Sequence, residues 1–150
     1  MTIAETDSGS KPQDLTIDDF VTGLIAGLAA SDVQAVSIRG SEFYAAVEKL
    51  YDHLRMSAKD DALNLRFRII LDRIYGDSPI VRDAISGAVQ RDLISLDNPE
   101  YLDMRLKVNV AEAQILLDTL PGHDGLFLEL AKEFVNDYPW IVVRKDQIDY

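Results

Sequence analysis

Apolar residues recur at spacings of three and four along most of this chain, which is the pattern of helices that bury one face. The first such helix begins after Thr16, whose hydroxyl is suited to accept a hydrogen bond from the first turn. The second begins after Ser41. Their apolar faces are formed by Ile17, Phe20, Val21, Leu24, Ile25 and Leu28, and by Phe43, Tyr44, Val47, Leu50, Tyr51 and Leu54. These two helices therefore supply much of the predicted core.

Four more helices are predicted in the rest of the chain. Residues 63–74 repeat the same spacing, and Gly76 can end that helix in the left-handed conformation. Ser78, which is followed by proline, is a suitable N-cap for the next helix, since proline is favoured at the first helical position. Asn109 and Asp124 are the predicted caps of two later helices. The sequence thus indicates about six helices.

The segments whose pattern predicts β-strands are shorter than those that predict helices. Residues 33–38 alternate in polarity and predict either a short strand or a continuation of the first helix. Residues 93–96 and 102–108 flank the turn formers at 97–100 and predict a small β-hairpin. Residues 141–143 either add a short strand or pack against the core. The predicted fold class is mainly α, with α+β character from the hairpin. Residues 1–14 are expected to be a disordered leader and residues 15–150 a single globular domain.

From residue 41 to residue 108, the predicted order of three helices followed by a hairpin resembles a winged helix-turn-helix domain. This resemblance implies that the outward face of the third helix enters the major groove of DNA and that the hairpin lies over phosphates. The implied contacts are Arg82, Ser86 and Gln90 with bases, and Arg105 and Lys107 with phosphates. The same residues are candidates for contact with a protein partner.

Charge changes the interpretation of this resemblance. The chain has a formal charge of −11, and the surplus of acids lies in residues 1–38 and 109–150, with the middle nearly neutral. A protein that holds the DNA backbone needs a basic face. Asp83 stands on the implied reading face, and Asp97 and Glu100 lie in the implied wing. We therefore favour a basic protein partner or a second copy of the chain over DNA.

A ridge of small residues runs along the first helix. Gly23, Gly27 and Ala30 are close to four residues apart and allow a second helix to approach, either within the chain or in a homodimer. Glycine inside a helix costs roughly 1 kcal/mol relative to alanine, so a packing reason is expected.

Few residues in the sequence are suited to catalysis or to binding a cofactor or metal. The chain has no cysteine and only two histidines, His53 and His123, which lie far apart in sequence and without the neighbours of a catalytic site. No phosphate-binding loop or metal-ligand spacing occurs, so we expect no cofactor and no metal. We also expect no membrane segment and a cytoplasmic location.

The function predicted from these features is a non-catalytic protein-interaction module, such as an accessory, inhibitory or antitoxin-like factor. The alternatives are a winged-helix regulator that binds specific DNA sequences and, least favoured, an enzyme of unrecognised type.

Overall fold

The computed structural model describes residues 12–38, 40–96 and 103–144. Within those ranges the chain forms an α+β fold with five α-helices and two small sheets. The helices are α1 (Ile17–Ala30), α2 (Glu42–Ala58), α3 (Pro79–Gln90), α4 (Val110–Thr119) and α5 (Leu126–Asp137), and a single 3₁₀ turn spans Pro139–Ile141. The strands are β1 (Gln13–Leu15), β2 (Val33–Ser37), β3 (Leu63–Leu65), β4 (Ile94–Ser95), β5 (Asp103–Leu106) and β6 (Val142–Arg144).

Local capping explains where most helices begin. Thr16 and Asp19 form a capping box at α1, as do Asn109 and Glu112 at α4, so the free N–H groups of both first turns are satisfied. The Ser78 side chain accepts from the N–H of the third helical residue of α3, which starts at a proline as predicted.

One helix begins where predicted but without a capping hydrogen bond, and one predicted cap is wrong. Ser41 precedes α2 but makes no capping hydrogen bond with its side chain. The residue before α5 is Gly125, with φ of +85°, instead of Asp124, because a left-handed residue is needed there to redirect the chain into the helix.

Helix α1 is the centre of the core. Every residue from Phe20 to Ala29 is buried, and the helix packs against α3, α4 and α5. Its first turn and its C-terminal end are the parts that reach solvent. A helix that is apolar on nearly every side has to be enclosed by other elements, as it is here.

The larger sheet has the strand order β4–β5–β2–β6, with every neighbouring pair antiparallel. The predicted hairpin is present as β4 and β5, and its turn at 97–100 lies outside the described residues. Val36 pairs with Met104 on one side and with Val142 on the other, and all three are buried. One face of this sheet therefore closes the core.

The predicted helix at 63–74 is wrong. Leu63–Leu65 forms β3, which pairs in parallel with β1, and the chain then continues without regular structure to α3. In this extended segment Arg66, Arg68 and Ile70 are exposed, while Ile69 is buried. That alternation has a period of two, which is the period of an extended chain.

Losing this helix removes the middle element of the implied helix-turn-helix. Between residues 41 and 108, the described residues hold two helices where the resemblance requires three, and five helices in all where about six were predicted. The prediction of a winged-helix-like core is therefore wrong. This region holds α2, then β3 and an extended segment, then α3 and the hairpin.

Gln13 and Asp14, the last residues of the predicted leader, belong to β1; residues 1–11 lie outside the described ranges. None of the helices in the described part of the chain is both long enough and apolar enough to cross a membrane.

Candidate interaction surfaces

The predicted reading residues of α3 share one exposed stripe. Arg82, Ser86 and Gln90 are four residues apart and all reach solvent, as does Asp83 beside them. The Arg82 guanidinium lies 3.2 Å from the Asp77 carboxylate, just before the helix. The basic group of the stripe is thus already paired with an acid of the same chain.

The two predicted contacts on the hairpin have different surroundings. Lys107 follows β5 and forms an ion pair with Asp92, which lies just beyond the end of α3. Arg105 pairs in register with Ala35 on the open face of the sheet, where the indole of Trp140 is also exposed. The Trp140 N–H donates to Glu42 at 2.7 Å.

The small-residue ridge is covered by α5. A Cβ added at Gly23 would come within 2.4 Å of the Phe127 ring, and one at Gly27 within 2.5 Å of the Phe127 carbonyl oxygen. Ala30 lines a shallow depression together with Leu128 and Val135 of the same helix. Gly23 and Gly27 therefore pack against a helix of their own chain, while Ala30 at the end of the ridge is only partly buried.

His123 contacts one carboxylate on the loop after α2 and another on helix α5. Its Nδ1 lies 2.7 Å from Asp61, after α2, and its Nε2 lies 3.0 Å from Glu129 on α5. Hydrogen bonds to Asp61 and then to Glu129 raise the pKa of His123 above its ordinary 6.5, because both stabilise the imidazolium. His53 contacts Glu133 of α5 in a similar way. These histidines are placed as cross-links between elements.

A hydrogen-bonded turn at residues 72–77, here called the exposed turn, was missed by the sequence prediction. The Asp72 carboxylate accepts the N–H groups of Ile74 and Tyr75, each at 2.8 Å. The Asp72 N–H donates to the Asp77 carbonyl at 2.7 Å, and its own carbonyl accepts from Gly76 at 2.8 Å. Gly76 has φ of +69°, which suits glycine. Hydrogen bonds from Tyr75 and Ile74 lower the pKa of Asp72, which keeps its carboxylate ionised.

The exposed turn holds apolar side chains in water. Ile74 is 82% exposed and Tyr75 is 77% exposed, and Ile70 just before them is 64% exposed. Arg68 and Arg73 flank them, and neither forms an ion pair within the described residues. The helical interpretation hid this surface because it placed Ile70 and Ile74 on a buried face. The alternation of apolar and basic residues from Leu65 to Ile69 was the signal that could have indicated an extended chain here.

The other bases are mostly engaged, whereas many acids are not. Besides Arg82 and Lys107, the paired bases include Lys49 with Asp137, Arg55 with Asp52 and Arg66 with Asp14. Among the described residues, exposed acids without a basic partner include Asp18, Asp83, Glu112, Asp118 and Asp124. The surface therefore carries acidic charge that the chain itself does not neutralise.

No protein-family model matches this sequence, and no curated protein or solved structure shows a significant match to it. Across residues 12–38, 40–96 and 103–144, no group of three or more acidic or histidine side chains is arranged to hold a metal ion.

Proposed function

We propose that this chain is a non-catalytic protein-interaction module that binds a basic protein partner, as an accessory, inhibitory or antitoxin-like factor does. The observation that carries this proposal is the pairing of Arg82 with Asp77 and of Lys107 with Asp92. These are two of the three bases that a winged-helix contact with DNA would use, the third being Arg105. Phosphates would have to displace carboxylates of the same chain to reach Arg82 and Lys107.

The unpaired acids support the same conclusion. Asp118 and Asp124 are exposed on α4 and on the loop that follows it, and Asp83 is exposed on α3. Neutralising several phosphates requires a basic face, and these positions repel phosphates instead. A partner with a basic surface gains from the same charges, which favour fast association at low ionic strength.

The test compares a protein partner with DNA. The purified chain is used to capture proteins from its native host, and the partner identified by mass spectrometry is purified and titrated against it. We expect a stoichiometric complex that weakens as salt rises, and that weakens further in an Asp118→Asn, Asp124→Asn variant. Asp118→Asn and Asp124→Asn are also measured singly, and the control matched to each is Asp60→Asn, which removes one exposed acid after α2.

The proposal is wrong if no protein is captured. It is also wrong if the chain retains duplex DNA at low salt and loses it on Arg82→Ala substitution, a result that would support the DNA-binding alternative. Retention of DNA that is unchanged by Arg82→Ala together with Arg105→Ala would reject the winged-helix mode of binding.

A further inference from the structure

Trp140, the only tryptophan of the chain, holds its indole ring in solvent on a fixed turn. Trp140 is 63% exposed, whereas tryptophan is highly buried on average. The backbone around it is the 3₁₀ turn Pro139–Ile141, in which the Ile141 N–H donates to the Tyr138 carbonyl at 3.2 Å. Ile141 is only 5% exposed and anchors this turn in the core. A tryptophan needed for packing alone would be enclosed as Ile141 is.

Two further contacts fix the orientation of the indole ring. Its N–H donates to the carboxylate of Glu42, the first residue of α2, at 2.7 Å. The centroid of the Tyr138 ring lies 5.5 Å from that of Trp140. Most of the Trp140 side chain still stays in water. A group that is already fixed loses little conformational freedom when it binds, and tryptophan is among the residues that dominate binding energy.

The charge beside the ring favours a cation. Glu42 is exposed and has no basic partner within the described residues, where one of its oxygens accepts the indole N–H and the other has no partner. Asp103 and Arg105 line the depression beside Trp140. Their formal charges cancel, and both side chains already interact within the chain. Among the described residues of this site, the formal charge that remains is the negative charge of Glu42.

We propose that the face of Trp140 and the carboxylate of Glu42 together bind an arginine side chain of the basic protein partner. This inference rests on the proposed function and names one contact that recognises the partner. A guanidinium group is planar, stacks on an aromatic face and donates N–H groups to a carboxylate, and tryptophan attracts cations more strongly than the other aromatic side chains do. The chain's charge of −11 favours the approach of such a partner.

NMR of the nitrogen-labelled full chain tests this contact, because one tryptophan gives one indole N–H signal. The probe is the peptide acetyl-Gly-Arg-Gly-amide. We expect the indole signal to shift and to saturate, with a dissociation constant on the order of millimolar, since a single side chain makes few contacts. The same peptide with citrulline in place of arginine keeps the shape but lacks the charge. It should produce no saturating shift.

Variants of the protein separate the site from the general charge of the chain. Glu42→Gln should weaken the arginine peptide about fivefold or more, because glutamine still accepts the indole N–H but carries no charge. Asp83→Asn is the matched control, since it removes one exposed acid from α3, and it should leave the affinity unchanged. Trp140→Ala removes the ring, so the backbone signals of the 3₁₀ turn should no longer shift. Thermal unfolding of each variant checks that the fold is intact.

Three results of the peptide titration would overturn the proposal: an indole signal that the arginine peptide does not shift, an equal shift with the citrulline peptide, or equal effects of Glu42→Gln and Asp83→Asn. A lysine peptide that binds as tightly as the arginine peptide would overturn the assignment to arginine.

A purified partner distinguishes this inference from the proposed function. Trp140→Ala should weaken the complex about tenfold or more, as loss of a dominant tryptophan does. Met56→Ala is the control, because Met56 is an apolar residue of α2 that is 82% exposed, and it should have no effect. A complex that Trp140→Ala leaves unchanged would refute the contact while the proposed function stands. Capture of no protein would refute the proposed function, and the peptide titration would still decide whether the site binds a cation.

Discussion

Replacing Gly27 with alanine tests whether α5 depends on the small-residue ridge of α1. A Cβ at this position would lie 2.5 Å from the Phe127 carbonyl oxygen and 3.0 Å from the Ala131 Cβ. Carbon atoms in good contact are about 3.5–4.0 Å apart, so both distances are too short. The nearer obstacle is backbone and cannot rotate away. The two helices must therefore separate.

The expected magnitude follows from two opposing effects. Alanine stabilises a helix interior by roughly 1 kcal/mol relative to glycine. Overpacking a well-filled core typically costs about 1–3 kcal/mol, and a backbone obstacle places Gly27→Ala at or above the upper end of that range. The net loss in the free energy of unfolding should be about 2 kcal/mol. For a chain of this size the melting temperature should fall by roughly 4–8 °C.

A matched glycine elsewhere separates packing from helix propensity. Gly87 lies inside α3, and its added Cβ would meet only the Asp18 carboxylate, at an ordinary 3.9 Å. Gly87→Ala should therefore stabilise the protein by about 0.5–1 kcal/mol. Urea unfolding of the two variants and of wild-type protein measures both effects. If Gly27→Ala is as stable as wild type, α5 does not pack on this ridge as described.

The remaining predictions concern the core, one cap and one histidine. Leu50→Ala should lower the free energy of unfolding by about 2–5 kcal/mol, because Leu50 is only 1% exposed; an unchanged urea midpoint would place it outside the core. Asn109→Ala should cost about 0.5–2 kcal/mol in the same assay, since it removes the cap of α4; a loss below a few tenths would contradict the capping geometry. His123→Gln should reduce stability by at most about 1 kcal/mol, since the ion pairs of His123 with Asp61 and Glu129 are partly exposed. Folding raises the pKa of His123, so the loss of stability should be largest below pH 6.5, the pKa in the unfolded chain, and should vanish as pH rises above the pKa in the folded protein. An equal loss of stability below pH 6.5 and above the folded pKa would refute this linkage.

The sequence predicted those helices and strands whose position is set by residues close to them along the chain. The caps at Thr16, Ser78 and Asn109 locate the starts of three helices, because a cap acts on N–H groups within a few residues of it. The turn formers at 97–100 predicted the hairpin for the same reason, whereas the alternation at 33–38 left a strand and a helical continuation open, and the structure has the strand β2. Exposure of Arg82, Ser86 and Gln90 also followed from helical spacing alone.

Contacts between distant segments were not predictable in this way. The pairing of Lys107 with Asp92 depends on how the end of β5 meets the end of α3, which no spacing in the sequence encodes. The acids near Arg82 and Lys107 were visible in the sequence, but the ion pairs that they form were not. The charged residues of the candidate surface could therefore be counted from the sequence. Whether each of them is free to contact a ligand could be seen only in the folded structure.

The segment after β3 shows why a helical spacing of apolar residues can conceal a binding surface. Phe67 packs against Phe20 and Tyr51, with ring centroids 5.5 and 5.4 Å apart, and the Arg66 N–H donates to the Leu15 carbonyl. These long-range contacts fix the chain in an extended form, and an extended chain with one buried face must expose every second side chain. In an ordinary strand with one solvated face those positions are mostly polar. Here one of them is isoleucine, and a fixed turn then exposes two more apolar residues beside arginine. Stability alone does not favour such residues in water, and their burial against another surface would lower the free energy of the protein.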